Sequence, residues 1–148
     1  MAEDIALTNG LGFSPDGKTL YHSDSRRQTV NCYDVGEDGE LGSKQEFVTF
    51  EHGVPDGLAV SEDGRVWVAL AGGGHAVAVL DSNGKHVETI EIPLPMCTSV
   101  CFGGDEFTDL FITSGSDGAE SDRAGAVFRY EAGVGGLRVP PARIKLGT

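Results

Sequence analysis

Short runs of alternating apolar and polar residues follow one another along the chain, and acidic Gly turns separate them. One phrase is repeated: NGLGFSPDGKTLYHSDS begins at Asn9, and DGLAVSEDGRVWVALAG begins 47 residues later, at Asp56. A more divergent third copy, TSVCFGGDEFTDLFITSG, begins at Thr98. Self-similarity at a period of about 20–50 residues is typical of solenoid and propeller folds. The chain is therefore predicted to consist of three structural repeats.

Each repeat predicts a series of antiparallel strands joined by tight turns. The sequence SPDG at 14–17 places Pro and Gly where a tight turn requires them, and the second repeat has DG at 63–64. The predicted strands are 11–14, 19–23, 29–33 and 45–50 in the first repeat; 58–60, 65–70, 76–80 and 87–92 in the second; and 100–102, 110–113 and 126–130 in the third. Helical patterns are weak throughout, so the prediction is an all-β fold.

Four-stranded antiparallel units of this length are typical of β-propeller blades, of which a ring usually has about four to eight. The repeats span about 9–55, 56–97 and 98–136, and residues 137–148 form a C-terminal tail. Three blades cannot close a ring, and the third repeat lacks an outer strand. We therefore expect half of a six-bladed propeller, completed by dimerisation. Residues 1–8 would then be an exchanged edge strand that supplies the partner's missing strand.

A formal net charge of −12 argues against two classes of partner. Nucleic acids and anionic membranes both bind positively charged surfaces, so neither is expected. No apolar run approaches the roughly 20 residues of a membrane span, and no signal peptide is recognisable. The predicted location is therefore the cytoplasm. Cys32, Cys97 and Cys101 are expected to be small buried thiols, and the spacing of the last two is too wide for a disulfide within one strand.

The residue that leads each repeat points to a metal site. Asn9, Asp56 and Thr98 occupy equivalent positions, and each carries a side-chain oxygen. Because equivalent positions of a radial repeat lie at one level around its axis, we infer a metal site at that axis. The alternative is that Asn9 and Asp56 only cap the turns before their strands, as Asn and Asp often do.

The order of the motifs resembles a known family. The motifs occur in the order NGLGFSPDGKTLYHSDS, then VPDGLAVSEDGRVWVAL, then TSVCFGG with LFITSG, and then GAVFRY. Over residues 9–136, this order is similar to that in the C-terminal half of the gluconolactonase/regucalcin (senescence marker protein) family. The resemblance implies a six-bladed propeller with a divalent cation in the central pocket, calcium first and zinc, manganese or magnesium as alternatives. It also implies hydrolysis of sugar lactones or related esters.

The resemblance assigns two residues of the site. Asn9 matches the family's amide-oxygen metal ligand, and Asp56 matches its carboxylate ligand, which is also the proposed general base. The family's glutamate ligand and its substrate-binding Arg and Asn come from an N-terminal half outside this sequence. A dyad would bring a second Asn9 and a second Asp56 to the axis, which would give four protein oxygens.

Four further residues are candidates for the substrate pocket. His22 and Asp24 lie near the end of the second predicted strand, and a structural role is the alternative for both. Thr98 and Ser99 occupy the third repeat's equivalent of the metal position and could form the pocket floor. No two histidines have the spacing of a zinc site.

These inferences combine into one functional prediction. The protein would be a metal-dependent hydrolase of a small-molecule lactone or ester, active as a homodimer, in which the metal polarises the carbonyl and Asp56 orients or activates water. The alternative is a non-catalytic half-propeller that binds a partner, or a truncated fragment. The absence of the family's glutamate ligand and substrate-binding arginine from this sequence favours that alternative.

Overall fold

Eleven antiparallel strands form three sheets in the computed structural model, which describes residues 3–116 and 125–139. The first sheet, blade 1, contains β1 (Thr8–Phe13), β2 (Thr19–Asp24), β3 (Thr29–Asp34) and β4 (Gln45–Thr49). Blade 2 contains β5 (Val54–Val60), β6 (Val66–Ala71), β7 (Ala76–Leu80) and β8 (His86–Glu91), and blade 3 contains β9 (Met96–Gly103), β10 (Asp109–Gly115) and β11 (Val127–Glu131). A short 3₁₀ helix, Ser25–Arg27, joins β2 to β3.

The three sheets are arranged as neighbouring blades of a propeller. Strands within each sheet are hydrogen-bonded in chain order, and the first strand of each is innermost, since β1 contacts β5 and β5 contacts β9. The predicted all-β fold with propeller blades is therefore confirmed. Blade 3 has three strands within the described residues, in agreement with the strand pattern of its repeat.

The hydrophobic core lies between the blades. One apolar cluster joins blades 1 and 2 and includes Tyr21, Leu58 and Val68. A second cluster joins blades 2 and 3 and includes Trp67 and Leu110. Because blade 2 is covered on both faces, every residue of β6 and β7 is buried. This explains why the sequences VWVALA and AVAVL are apolar without alternation.

The first hairpin turn of blades 1 and 2 forms as the sequence predicted. Gly17 and Gly64 have φ angles of 70° and 83°, a left-handed conformation that glycine adopts without strain. The Asp16 carboxylate accepts a hydrogen bond from Ser14 Oγ at 2.6 Å. In blade 2, the Asp63 carboxylate accepts one from Ser61 Oγ at 2.6 Å. An acidic residue before Gly therefore stabilises the turn that sets the strand register.

The strand limits differ from the prediction mainly on the inner strands. β7 coincides with the predicted 76–80, whereas β1 and β5 begin at Thr8 and Val54, three and four residues before the predicted starts. The additional residues contain the Asn-Gly and Pro-Asp-Gly sequences. These sequences lack apolar alternation, so their local pattern favours turns rather than strands.

The cysteines correct one expectation. Cys97 is buried and Cys32 is half-buried, but Cys101 is exposed, and all three are free thiols. The exposure arises because successive side chains of β9 point to opposite faces of blade 3, and Cys101 lies on the face away from blade 2. No helix in the described part of the chain is long and apolar enough to cross a membrane.

The segment after β11 crosses the inner strands at one end of the propeller axis. Gly136 forms an isolated β-bridge with Ser61, and Leu137 N donates a hydrogen bond to Val60 O. Of the predicted C-terminal tail, residues 140–148 lie outside the described residues.

Candidate metal and substrate site

A β-bulge interrupts the inner strand of every blade at the same level. The bulges fall at Asn9-Gly10 in β1, at Asp56-Gly57 in β5 and at Thr98 in β9. A bulge places an extra residue in one strand and redirects its side chain, and bulges are frequent beside active sites. The three lead positions therefore lie inside the inner strands rather than before them, and the fold itself singles them out.

The inner strands approach one another closely at this level. A Cβ atom at Gly10 would lie 2.5 Å from the carbonyl oxygen of Asp56, and one at Gly57 would lie 2.8 Å from Ser99 Cα. Only glycine fits between two backbones at these separations. Two of the three lead residues, Asn9 and Asp56, are followed by glycine in the sequence, but Asn-Gly and Asp-Gly are also common turn sequences, so the sequence alone does not reveal this packing role.

Asn9 and Asp56 are brought together by this convergence. Asn9 is exposed, and its side chain donates a hydrogen bond to the carboxylate of the half-buried Asp56. Burial raises the pKa of Asp56 above its ordinary value, and the hydrogen bonds from Asn9 and from the Gly57 backbone N–H offset only part of this effect. In the described part of the chain, no cationic side chain contributes to this shift.

The side chains of Asn9 and Asp56 carry the types of oxygen atom that bind a hard cation. A carboxylate and an amide oxygen suit Ca²⁺, which takes about six to eight oxygen ligands. Within residues 3–116 and 125–139, no group of three or more His, Cys, Asp or Glu could hold a metal. Asn9 and Asp56 therefore supply only part of a shell of about six to eight oxygens.

Ser99 lies next to the Asn9–Asp56 pair, and Thr98 precedes it on β9. Ser99 is exposed and packs against Gly57, the neighbour of Asp56. Thr98 Oγ1 lies 2.9 Å from Thr113 Oγ1 on the adjacent strand β10. Thr113 carries no distinguishing signal in the sequence, because only the strand pairing shows that its hydroxyl reaches this level.

His22 is placed under the start of β1 instead of in an open pocket. It is 3% exposed, and its Nε2 lies 2.7 Å from Thr8 Oγ1. Burial lowers the pKa of His22, so the ring is neutral near pH 7. This placement supports the structural alternative for His22, since its hydrogen bond positions the residue that precedes Asn9.

Asp24 is fully buried and holds the chain before β1. Its carboxylate accepts hydrogen bonds from Ala6 N at 2.9 Å and Leu7 N at 3.0 Å, and it pairs with Arg27 at 3.3 Å. Burial alone raises the pKa of Asp24, but these backbone hydrogen bonds and Arg27 outweigh it, and the net shift is downward. The contacts support the structural alternative for Asp24 as well.

The opposite end of the axis is apolar. A cavity of about 250 Å³ lies there, and its lining includes Leu11, Phe13, Ala59, Cys101 and Leu137. On the inner strands themselves, the polar side chains of Asn9, Asp56 and Thr98 lie at the end that carries the three bulges.

Comparisons with known proteins agree with this architecture. Residues 1–116 match the model of the SMP-30/gluconolactonase/LRE-like region. Regucalcin from Gallus gallus is 31% identical, and the match covers 94% of this chain and 49% of the relative. A solved luciferin-regenerating enzyme superposes with a TM-score of 0.80 at 32% identity, over 93% of this chain and 50% of its own.

A second similar structure is that of a calcium-binding protein. It is the calcium-binding protein regucalcin from Agrobacterium tumefaciens, which superposes with a TM-score of 0.77 at 26% identity, over 90% of this chain and 48% of its own. The chain thus spans about half the length of the curated relatives it matches. From its blades, its motifs and these matches, the chain belongs to the SMP-30/gluconolactonase/LRE-like family.

Proposed function

We propose that this protein hydrolyses sugar lactones or related esters with a divalent cation, calcium in the first place, held at Asn9 and Asp56. The observation that supports the proposal is the meeting of three bulged inner strands, which sets an amide and a half-buried carboxylate side by side. The family match supports the reaction class, and the regucalcin structure described as calcium-binding supports the metal.

The chain's own residues supply two functions in this proposal. A cation bound here would polarise a lactone or ester carbonyl. Asp56 accepts hydrogen bonds at this site and can orient a water molecule for attack on that carbonyl. Ser99 is exposed beside Gly57 and offers a hydroxyl to a small hydroxylated substrate. Because a metal-bound carboxylate is a weak base, Asp56 acts mainly by positioning the water.

The proposed active species is a homodimer. Two copies related by a dyad double the set of Asn9 and Asp56 oxygens at the axis and complete the ring of blades. Exchange of residues 1–8 as an edge strand remains part of the hypothesis. In the single chain, Asp24 binds Ala6 N and Leu7 N, so exchange must break or rearrange these contacts.

The alternative function is a non-catalytic half-propeller that binds a partner. It is favoured by the finding that no group of three or more His, Cys, Asp or Glu in the described residues could hold a metal ion. A chain that folds fully in EDTA and turns over no lactone would support this alternative. The cytoplasmic location predicted from the sequence remains a prediction.

Calcium titration by calorimetry and hydrolysis of glucono-1,5-lactone test the proposal. We expect EDTA to abolish hydrolysis and calcium to restore it. We expect Asp56→Asn to lower turnover by at least about a hundredfold, because the substitution removes both a metal ligand and the water-orienting carboxylate. Asp16→Asn is the control, since it removes the same charge from an exposed turn. Hydrolysis that survives Asp56→Ala would reject Asp56 as the centre.

A further inference from the structure

Two blade faces in the described part of the chain have no blade packed against them. The leading face belongs to blade 1 and the trailing face to blade 3, and both point away from blade 2. Leu11 and Phe13 lie on the leading face and are 59% and 49% exposed. Cys101 is exposed on the trailing face, and Val127 there is 64% exposed. Apolar side chains of this size exposed at unpaired sheet faces indicate contact surfaces.

The packing of blade 1 on blade 2 shows how such faces meet. Gly12 points to blade 2, since a Cβ atom there would lie 2.8 Å from Leu58 Cδ1 and 3.0 Å from Val60 Cγ2. Successive side chains of a strand point to opposite faces, so Leu11 and Phe13 point away from blade 2. A small residue on one inner strand therefore accepts two larger side chains from the next inner strand.

The packing of blade 2 on blade 3 follows the same rule. Ala59 packs against the cluster that contains Val100 and Phe102. Aligned by repeat, NGLGF, DGLAV and TSVCF make Cys101 the third small residue, equivalent to Gly12 and Ala59. Cys101 is the member of this series that lacks its two larger neighbours in the described structure.

The second strands show a matching series of aromatic residues. Tyr21 and Trp67 are 4% and 0% exposed, and each packs against the next blade. Phe111 is their equivalent in the third repeat, lies on the trailing face and is only half-buried. It is paired in register with Cys101, so the two residues form one small-plus-aromatic surface.

We propose that the trailing face binds the leading face of a second copy of this chain, with Leu11 and Phe13 of that copy packed over Cys101 and Phe111. The contact continues an interface that the chain already forms twice, between blades 1 and 2 and between blades 2 and 3. Two such contacts related by a dyad close a ring of six blades. This inference shares with the proposed function only the assumption of a homodimer. It adds the surface through which the two copies contact each other.

The contact is confined to the inner half of the leading face. Farther out on this face, Tyr33 and His22 are buried, and Asp4 pairs with Arg27 and Lys44. Leu11 and Phe13 are left uncovered at the inner strand. We therefore expect the interface to depend on these two side chains more than on the outer strands.

Disulfide formation tests the contact directly. Phe13→Cys in the full chain should form a covalent dimer with the native Cys101 of the second copy under mild oxidation, as the major species on a non-reducing gel. Phe13→Cys with Cys101→Ser is the control that removes the partner thiol. Val87→Cys is matched in exposure, at 49%, but lies on β8, so it should yield no dimer.

Light scattering after size exclusion provides the second readout. The unmodified chain should have a mass of twice 15.5 kDa. Phe13→Asp should weaken association at least about tenfold, because it places a charge in an apolar contact, whereas Val87→Asp should leave the mass unchanged. Neither readout uses metal or substrate. A cross-linked dimer without lactonase activity would therefore reject the proposed function and leave this interface standing.

Four outcomes would overturn the inference. A monomer at every concentration would do so, as would equal cross-linking by Val87→Cys. A dimer whose Phe13→Cys form fails to link with Cys101 would place the interface elsewhere. A monomer that captures a separately produced N-terminal half of regucalcin would assign the trailing face to a different three-blade polypeptide.

Discussion

Substitution of Gly57 tests the idea that glycine allows the inner strands to meet at the axis. In Gly57→Ala, the new Cβ would lie 2.8 Å from both Ser99 Cα and Ser99 Cβ, whereas ordinary contacts begin at 3.4 Å. To restore ordinary contact, the strands must separate by 0.6 Å, the difference between these distances. Ser99 Cα belongs to the backbone of β9 and cannot move alone.

The expected cost follows from this geometry. Overpacking of a closely packed site costs about 1–3 kcal/mol, so we expect the free energy of unfolding to fall by about 2 kcal/mol. Equilibrium urea unfolding, followed by tryptophan fluorescence, should show the midpoint lowered by about 1 M, given a slope of about 1–3 kcal/mol/M.

Gly12→Ala is the matched control for this prediction. Gly12 also lies on an inner strand, but its Cβ would meet the side-chain ends of Leu58 and Val60, which can rotate away. Both variants reduce the entropy of the unfolded chain equally. The difference between the free energies of unfolding of the two variants therefore isolates the effect of the backbone clash. A Gly57→Ala variant as stable as Gly12→Ala would refute the reasoning.

Two further predictions concern buried groups. Asp24→Asn should lower the free energy of unfolding by about 2 kcal/mol, because it weakens charge-assisted hydrogen bonds in a buried place. Since the folded pKa of Asp24 lies below its unfolded value, its contribution is complete above about pH 4 and is lost as the pH falls through the folded pKa. Urea unfolding of the unmodified protein and of Asp24→Asn between pH 7 and pH 3 should show that the difference between their free energies of unfolding shrinks. A constant difference would contradict the assignment. Burial raises the pKa of Cys97 to about 11, so a thiol reagent at pH 8 should label the exposed Cys101 first and Cys97 only on unfolding. Rapid labelling of Cys97 in the native protein would contradict its burial.

Much of the fold could be predicted from local patterns. The alternation of apolar residues and the acidic Gly turns at 14–17 and 63–64 predict the hairpins, and the repeat period predicts blades. β7 lies at the predicted residues because AVAVL is an uninterrupted apolar run with clear ends. These features depend on neighbours along the chain, so the sequence displays them directly.

The candidate site could be predicted only in part. The repeat alignment pointed to Asn9 and Asp56, but their contact arises from bulges and from Gly10 and Gly57 lying between backbones. Likewise, His22 looked available in the sequence, yet its ring is buried under the start of β1. Such features depend on residues far apart in sequence that meet in three dimensions.

By itself, then, the sequence determined the repeat, the all-β blades and the residue types offered at the lead positions. The tertiary structure decided which faces meet. It buries Asp24 against the backbone of Ala6 and Leu7, and it leaves Cys101 exposed although Cys97, four residues earlier, is buried. The physical reason is that alternation along a strand assigns a side chain to one of two faces, whereas only packing between blades determines whether that face is covered.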